Sequence, residues 1–427
     1  IILLAGLNRG WSSSNMPAYK KIGLFIARPF SWYISRGKTI KSIERGSPFI
    51  SDLKMEWTKL IKKEKDPTVI QLLGDSDHIA PQKDHKELMA ASKFIFISVP
   101  HATHSNIINI PQNCIDVQIK IKQKYLAKAI TKTITELDND KVANKNYLDS
   151  FDSNRKLIKH VIFIMHGIRD YGEWVDDMAA NFESEESIKC ITSKYGYFSM
   201  ARFLLFTSRE KKVRWFVDQY SEALSMYGKD VKFSFIGHSN GTYLLASALE
   251  SYEELTFSNV YFAGSVVRTD FDWPKYIINK RVENIRNDVA NKDFIVAFFP
   301  KFYQIIRKQS PIPISEKGFF NIGSAGFDGF ELTHDNMLLG KVRGGHSAAL
   351  RKKNIPSIVD FILNGKQNAL EDNICKNKII SVFSNIAWLI WGVLATILAY
   401  IGFFIYQDYP HSLTIYMAVL VALFYTI

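Results

Sequence analysis

The feature that most limits how this chain can fold is a strand, a glycine-bracketed turn and a helix in immediate succession. These are VKFSFI at 231–236, Gly237-His238-Ser239-Asn240-Gly241, and TYLLASALE at 242–250. A nearly unbroken apolar run suits a strand whose sheet is covered on both faces. A helix that follows such a strand without a spacer must double back close to it, so the positions two places either side of the turn's centre have to be small. Glycine occupies both. Ser239 then sits on strained backbone, its hydroxyl exposed at the carboxyl end of the strand and facing amides of the first helical turn. That makes it a candidate nucleophile; the bland alternative is a tight structural turn with a surface serine.

The same rhythm extends in both directions. HVIFIM at 160–165 reads as a strand ending in His166-Gly167-Ile168, a helical stretch begins at Trp174, and further strands are expected at NVYFAGSVV (259–267) and near FIVAFF (294–299). Before it, short apolar runs (IQLLG, KFIFISVP) alternate with helix-compatible stretches, and apolar residues at Leu126, Ile130, Ile134 and Leu137 predict a closing helix within 115–137. The polar run 138–156 predicts a linker. The expectation is α/β architecture in two domains, 1–137 and 157–366.

On these residues the chain resembles the α/β-hydrolase family, over about 157–366. The resemblance implies a mostly parallel sheet with helices on both faces, and a nucleophile, an acid and a histidine in that chain order. Ser239 matches the nucleophile within the elbow formed with Gly237, His238 and Gly241. His166-Gly167-Ile168 is similar to the family's oxyanion segment, which assigns Gly167 and Ile168, together with Asn240, to the oxyanion hole. His346 in GGHSAAL is the general base implied, in preference to His334. Asp293 in NKDFIVAFF is the acid implied, with Asp270 and Asp288 as alternatives.

The N-terminal residues repeat the later ones. LLAGLNRGW (3–11) parallels YFAGSVVRTDFDW (261–273), Asp77 in QLLGDSDHIAP parallels Asp293, and His104 in PHATHSNII parallels His346. The first domain therefore resembles the C-terminal half of a second hydrolase domain, its nucleophile part missing and its chain beginning inside a domain. A metal site at Asp75, Asp77, His78, His101 and His104 is the competing reading, and the repeat accounts for Asp77 and His104 without a metal. The aromatic-rich insertion between Ala27 and Asp66 resembles a lid. GFFNIGSAGFDGF (318–330) is expected to be a flexible flap or a packed surface loop.

Residues 379–406 carry no charge and exceed the roughly 20 residues a helix needs to cross a bilayer. A second apolar run, 412–427, predicts a truncated second span and thus a transmembrane helical hairpin. Lys366, Lys376 and Lys378 precede the first span and no Lys or Arg lies in the loop after it, which predicts hydrolase domains on the cytoplasmic side. The net charge of +12 then fits anionic lipid head groups. The lysines are not grouped with aromatics as nucleic-acid binding would require. Three dispersed cysteines suggest no disulfide framework and no zinc knuckle.

Taken together, these features predict a membrane-tethered serine hydrolase cleaving a carboxylic ester or thioester of a lipid-like substrate, with no cofactor and no metal. A catalytically silent scaffold or regulatory domain of the same fold, or an acyltransferase using the same serine, are the alternatives. Nothing in the sequence names a protein partner.

Overall fold

A computed structural model describes residues 2–4, 47–62, 69–77, 94–104, 106–107, 117–131, 157–168, 173–193, 203–228, 230–310, 318, 320–366 and 374–426. The linker 138–156 and most of the lid-like insertion lie outside them. The chain divides into two compact units, one comprising 1–159 with 214–231, the other 160–213 with 232–427.

The first unit holds β1 (Ile2–Leu4), α1 (Pro48–Lys62), β2 (Val69–Gly74), β3 (Phe94–Val99) and α2 (Val117–Thr131). Its strands pair in parallel in the order β1-β2-β3, with Ile2 opposite Ile70 and Val69 opposite Phe94. Leu72, Ile97, Val99, Ala102, Ile107 and Ala129 form its core. On α1, the buried Lys54 is ion-paired with the buried Asp218, which lies in the part of a later helix that belongs to this unit.

The second unit is an α/β layer built on a fully parallel six-stranded sheet. In chain order it contains β4 (His160–Met165), α3 (Glu173–Phe182), β5 (Ile188–Ser193), α4 (Phe206–Tyr227, of which 214–227 belongs to the first unit), β6 (Lys232–His238) and α5 (Asn240–Ser251). Then follow β7 (Phe257–Ala263), α6 (Trp273–Ile278), β8 (Val282–Ala290), α7 (Phe294–Phe298), α8 (Pro300–Gln309), α9 (Ala325–Asp328), β9 (Met337–Val342) and α10 (Ile355–Asn364). The strand order is β5-β4-β6-β7-β8-β9.

Alternation along the strands fills both faces of this sheet. Ile162, Ile164, Ile236 and Tyr261 pack with Val175, Met178 and Phe182 of α3 and with Ile358, Phe361 and Ile362 of α10. Their neighbours Phe163, Phe235 and Phe262 point the other way into an aromatic layer. There Phe235 meets Phe257 and Phe262 edge-on at 6.1 and 6.3 Å, and Trp273 of α6 lies 5.4 Å from Phe262. The order reverses direction between β4 and β6, because β5 lies outside β4 while the remaining strands extend from β6. In open parallel sheets ligands bind outside the carboxyl ends of the strands at such a reversal.

Two expectations are corrected and one open alternative is decided. FIVAFF is helical, not a strand: Asp293 caps α7 by accepting from the Val296 amide, and the strand is the preceding β8. The insertion around α9 is packed, not a flap. Ile322, Ala325 and Phe327 are buried, and the amides of Gly323, Ala325 and Gly326 donate to the carbonyls of Val266, Val267 and Ser265. The apolar run 379–406 is not one helix. It begins with α11 (Lys378–Asn385), breaks at Ile386, and continues as α12 (Ala387–Asp408). The break has a physical cause: Ser384 is fully buried and accepts a 3.0 Å hydrogen bond from Lys301 of α8, which holds α11 against the α/β layer.

Among the described residues α12 is the one helix long and apolar enough to cross a membrane. The helix that follows, α13 (Leu413–Thr426), has 14 described residues. It packs on α12, with Tyr416 Oη donating to the Leu398 carbonyl at 2.7 Å.

His160 at the start of β4 is hydrogen-bonded through Nε2 to Ser234 Oγ at 2.8 Å. Burial, reinforced by the charge of Lys232, pulls its pKa down from 6.5 to about 4. Between these values the unfolded chain binds the proton and the folded protein does not, so acidification favours unfolding. Stability is therefore expected to fall by up to about 3 kcal/mol as pH drops from 6.5 to 4. His160→Asn should flatten that part of the curve in denaturant melts.

Candidate functional site

Ser239 stands between β6 and α5 with φ 52° and ψ −119°. A non-glycine residue with that backbone costs on the order of 1–3 kcal/mol and persists only where its surroundings impose it. Here the Ser239 amide donates to the Ala263 carbonyl of β7 at 3.1 Å, and its own carbonyl accepts from both the amide and the hydroxyl of Thr242, at 3.0 and 2.7 Å. Thr242 Oγ1 in turn accepts from the Val266 amide at 3.1 Å. The turn also needs room. A Cβ at position 241 would come within 2.4 Å of the Met165 carbonyl oxygen at the end of β4, so only glycine lets α5 pass.

Gly167, which follows β4, approaches the serine from across the sheet reversal. A Cβ there would lie 2.8 Å from Ser239 Cβ and 3.3 Å from its Oγ. Main chain from the His166-Gly167-Ile168 segment thus borders the hydroxyl directly. His166 Nδ1 is 2.7 Å from the Gly167 carbonyl oxygen, which ties down that short segment. Asn240 is buried as the first residue of α5.

From the other side of the sheet come the histidine and the acid. Asp293, fully buried at the N-terminus of α7, places Oδ2 2.9 Å from His346 Nδ1, while its Oδ1 accepts from the Val296 amide at 3.0 Å. Both carboxylate oxygens are therefore engaged, and the imidazole is oriented by a buried carboxylate, leaving Nε2 available. The His346 ring lies 4.8 Å from that of His238, the residue preceding Ser239. Beneath it runs Gly264, at φ +53°, where a Cβ would come within 2.8 Å of the ring. The Ser239 hydroxyl makes no hydrogen bond among the described residues. Catalytic hydrogen bonds are often long in structures without substrate and tighten when it binds.

The alternative acids are committed elsewhere. Asp288 is fully buried in β8, pinched by Arg286 Nε and an Arg286 Nη at 2.9 and 3.0 Å and accepting from Tyr261 Oη at 2.8 Å. Asp270 is paired with Arg307 and lies 4.0 Å from Arg268. Burial alone would raise the Asp270 carboxyl, but the Arg307 hydrogen bond and the charges of Arg268, Arg307 and Lys308 outweigh it and hold it below the usual range. Neither carboxylate touches His346. His334 makes its contact with the Asn336 amide.

In the first unit the same pairing recurs. His104 Nδ1 lies 3.1 Å from Oδ2 of the buried Asp77, with Asp77 just after β2 and His104 just after β3. The corresponding pair in the second unit bridges the ends of β8 and β9, so the repeat read from sequence has a geometric counterpart. A cavity of about 420 Å³ is lined by Val289, Leu339, Lys341, Phe327, Ile374 and Lys376 among others, but not by Ser239, His346 or Asp293. It does not mark the serine's site. Among the described residues no cluster of His, Cys, Asp and Glu is arranged to hold a metal ion.

Sequence reasoning missed Asn291. Its Oδ1 accepts from the Gly344 amide at 3.0 Å in the loop carrying His346, and its Nδ2 donates to the Cys375 carbonyl at 3.3 Å. Its own carbonyl accepts from the Asn377 amide at 3.1 Å. It thereby joins the acid turn, the histidine loop and the segment leading into α11, and partners so distant in sequence leave no local signal. Gly264 did leave one: Ala-Gly stands at the end of the strand in both repeats, at 5–6 and 263–264.

No family model matches the chain, and no curated protein matches it. Asn291→Ala should cost about 1 kcal/mol of stability in denaturant melts and should accelerate hydrogen–deuterium exchange at the Gly344 amide. Unchanged exchange at Gly344 would show that the amide does not depend on this side chain.

Proposed function

We propose that the second unit is a serine hydrolase of α/β-hydrolase type, attached to a membrane through α12, that cleaves carboxylic esters or thioesters. The observation carrying this reading is the backbone of Ser239, φ 52° and ψ −119°, at a strand-to-helix turn beside a histidine held by a buried carboxylate. A merely structural turn has no reason to store strain at a serine, and a structural histidine has no reason to stand 4.8 Å from the ring of that serine's neighbour.

In the proposed reaction His346 Nε2 accepts the Ser239 Oγ proton as Oγ attacks the acyl carbon. Asp293 keeps the imidazole in the tautomer that leaves Nε2 free to accept, and stabilises the imidazolium that forms. The tetrahedral oxyanion is held by the amides of Asn240 and Ile168, with Gly167 giving the close approach. His346 then returns the proton to the departing alkoxide or thiolate. Water, activated by the same imidazole, releases the acid from the acyl-enzyme. An acyltransferase would differ only in using an alcohol in that last step. The length and apolarity of α12 support membrane attachment, and the location favours acyl or lipid-like substrates.

A fluorophosphonate probe tests the reading. Wild-type protein should be labelled and Ser239→Ala should not, whereas a scaffold that merely keeps the fold would leave the wild type unlabelled. Asp293→Asn should lower ester turnover by on the order of 10³–10⁴-fold, while Asp270→Asn should leave it near the wild-type value. The reverse ranking of the two aspartates would exclude Asp293 as the acid.

A further inference from the structure

The foot of α12 is not a free-standing tether. Trp391 Nε1 donates to the Phe298 carbonyl of α7 at 3.1 Å, and its ring lies 6.1 Å from Phe299 and 6.4 Å from Phe302 of α8. The 22 residues of α12 rise about 33 Å, close to the ~30 Å hydrocarbon thickness of a bilayer. If that helix crosses, nearly its whole length is needed, so its first turns lie at the membrane boundary. Trp391 stands about 6 Å along the axis from Ala387. The backbone of α7 and the start of α8 must then lie at the same depth, in contact with the head-group region.

The exposed side chains around that foot suit such a place. Phe294 and Ile295 project from α7, and Ile379, Val382 and Phe383 from α11, all exposed although large and apolar. Beside them are Lys292 and Lys378, exposed and without an ion pair among the described residues. Asn291 and Asn377 are hydrogen-bonded through their main chains, which brings these two lysines' segments together. Aromatic and aliphatic groups flanked by lysine form the pattern that inserts at an anionic lipid interface. Phe294 is also the residue immediately after Asp293, whose carboxylate holds His346.

We propose that the face formed by α7, the start of α8 and α11 docks into an anionic bilayer surface, so that Ser239 takes an acyl lipid directly from the membrane rather than an ester from solution. The substrate assignment rests on the hydrolase reading above and on α12 as the span; the docking of the face rests on α12 alone. A bilayer is chosen over a soluble partner because the face is continuous with a helix whose apolar surface is itself uncovered. It also carries the lysines that anionic head groups attract.

The test uses the full chain with Cys114→Ser, Cys375→Ser and Ile295→Cys, spin-labelled and reconstituted into phosphatidylcholine–phosphatidylserine vesicles. Cys190 stays unlabelled, since burial, with the nearby Glu183 adding to it, pushes its thiol up to about 12. A label at 295 should be more accessible to molecular oxygen than to an aqueous nickel complex. The reverse is expected for Glu253→Cys, which is exposed beyond the end of α5 opposite to Ser239. Nickel access at 295 equal to that at 253 would overturn the docking. So would shielding from both reagents, which would assign the face to a second copy of the chain.

In the same vesicles Phe294→Ser with Ile295→Ser should lower hydrolysis of a bilayer-resident acyl lipid about tenfold or more. Fluorophosphonate labelling of Ser239 in detergent should keep its wild-type rate. Lipid turnover unaffected by the double variant would overturn the proposal. Absence of any labelling of the unmutated serine would instead remove the hydrolase reading, leaving the depth of position 295 to decide the docking by itself.

Discussion

The geometry of the candidate site turns on a 2.9 Å contact between Asp293 Oδ2 and His346 Nδ1, which orients the imidazole within two segments that the pairing of β8 with β9 and the Gly344 amide bond to Asn291 already bring together. Each end is fixed by ordinary secondary structure. Asp293 caps α7 directly after β8, and His346 follows β9, the parallel neighbour of β8. In a parallel sheet all carboxyl ends lie on one edge, so the acid and the histidine emerge at the same edge as Ser239, which follows β6. Parallel topology thus brings three positions far apart in the chain to one edge of the sheet. The side chains of Asn291 and Thr242 and the backbone of Gly264 then set the finer placement.

Three carboxylates in this part of the chain are sorted by surroundings rather than by chemistry. Asp288 and Asp270 are taken up by arginines, one fully buried and one half exposed. Only Asp293 offers an oxygen to imidazole. The buried Arg286–Asp288 pair carries a desolvation cost of several kcal/mol per ion that its bidentate geometry and the Tyr261 and Ser357 contacts offset. Removing one partner would leave an uncompensated charge between β7, β9 and α10. That makes Asp288 structural, although it lies only five residues from the proposed acid.

The Asp77–His104 pair gives the first unit the same arrangement on a smaller sheet: three parallel strands, an acid after the second, a histidine after the third. Its recurrence supports the view that this pairing is a property of the repeated strand pattern and not an accident of one loop. In the second unit the arrangement is further tied to α11 and α12. Asn291 bonds the segment that enters α11, Lys301 bonds Ser384 within it, and Trp391 bonds the helix that Asp293 begins. Hydrogen bonds therefore link the apolar helices to the elements that hold the imidazole.

Much of this was legible in the amino-acid sequence, for a local reason. The apolar runs, the glycines around Ser239 and the uncharged stretch before the C-terminus each encode their structure within a few residues. They determined the α/β class, the strand-to-helix turn and the presence of a membrane-length helix. The repeat added Asp77 with His104 and Asp293 with His346 as corresponding pairs. Tertiary structure decided what local pattern cannot carry. Phe294–Phe298 became a helix because Asp293 caps it, and the run 379–406 broke at Ile386 because Lys301 captures Ser384. The choice among Asp270, Asp288 and Asp293 was made by which arginines lay within reach. Hydrogen bonds and ion pairs act over about 3 Å, so their partners are known only once the sheet has brought distant residues to a common edge.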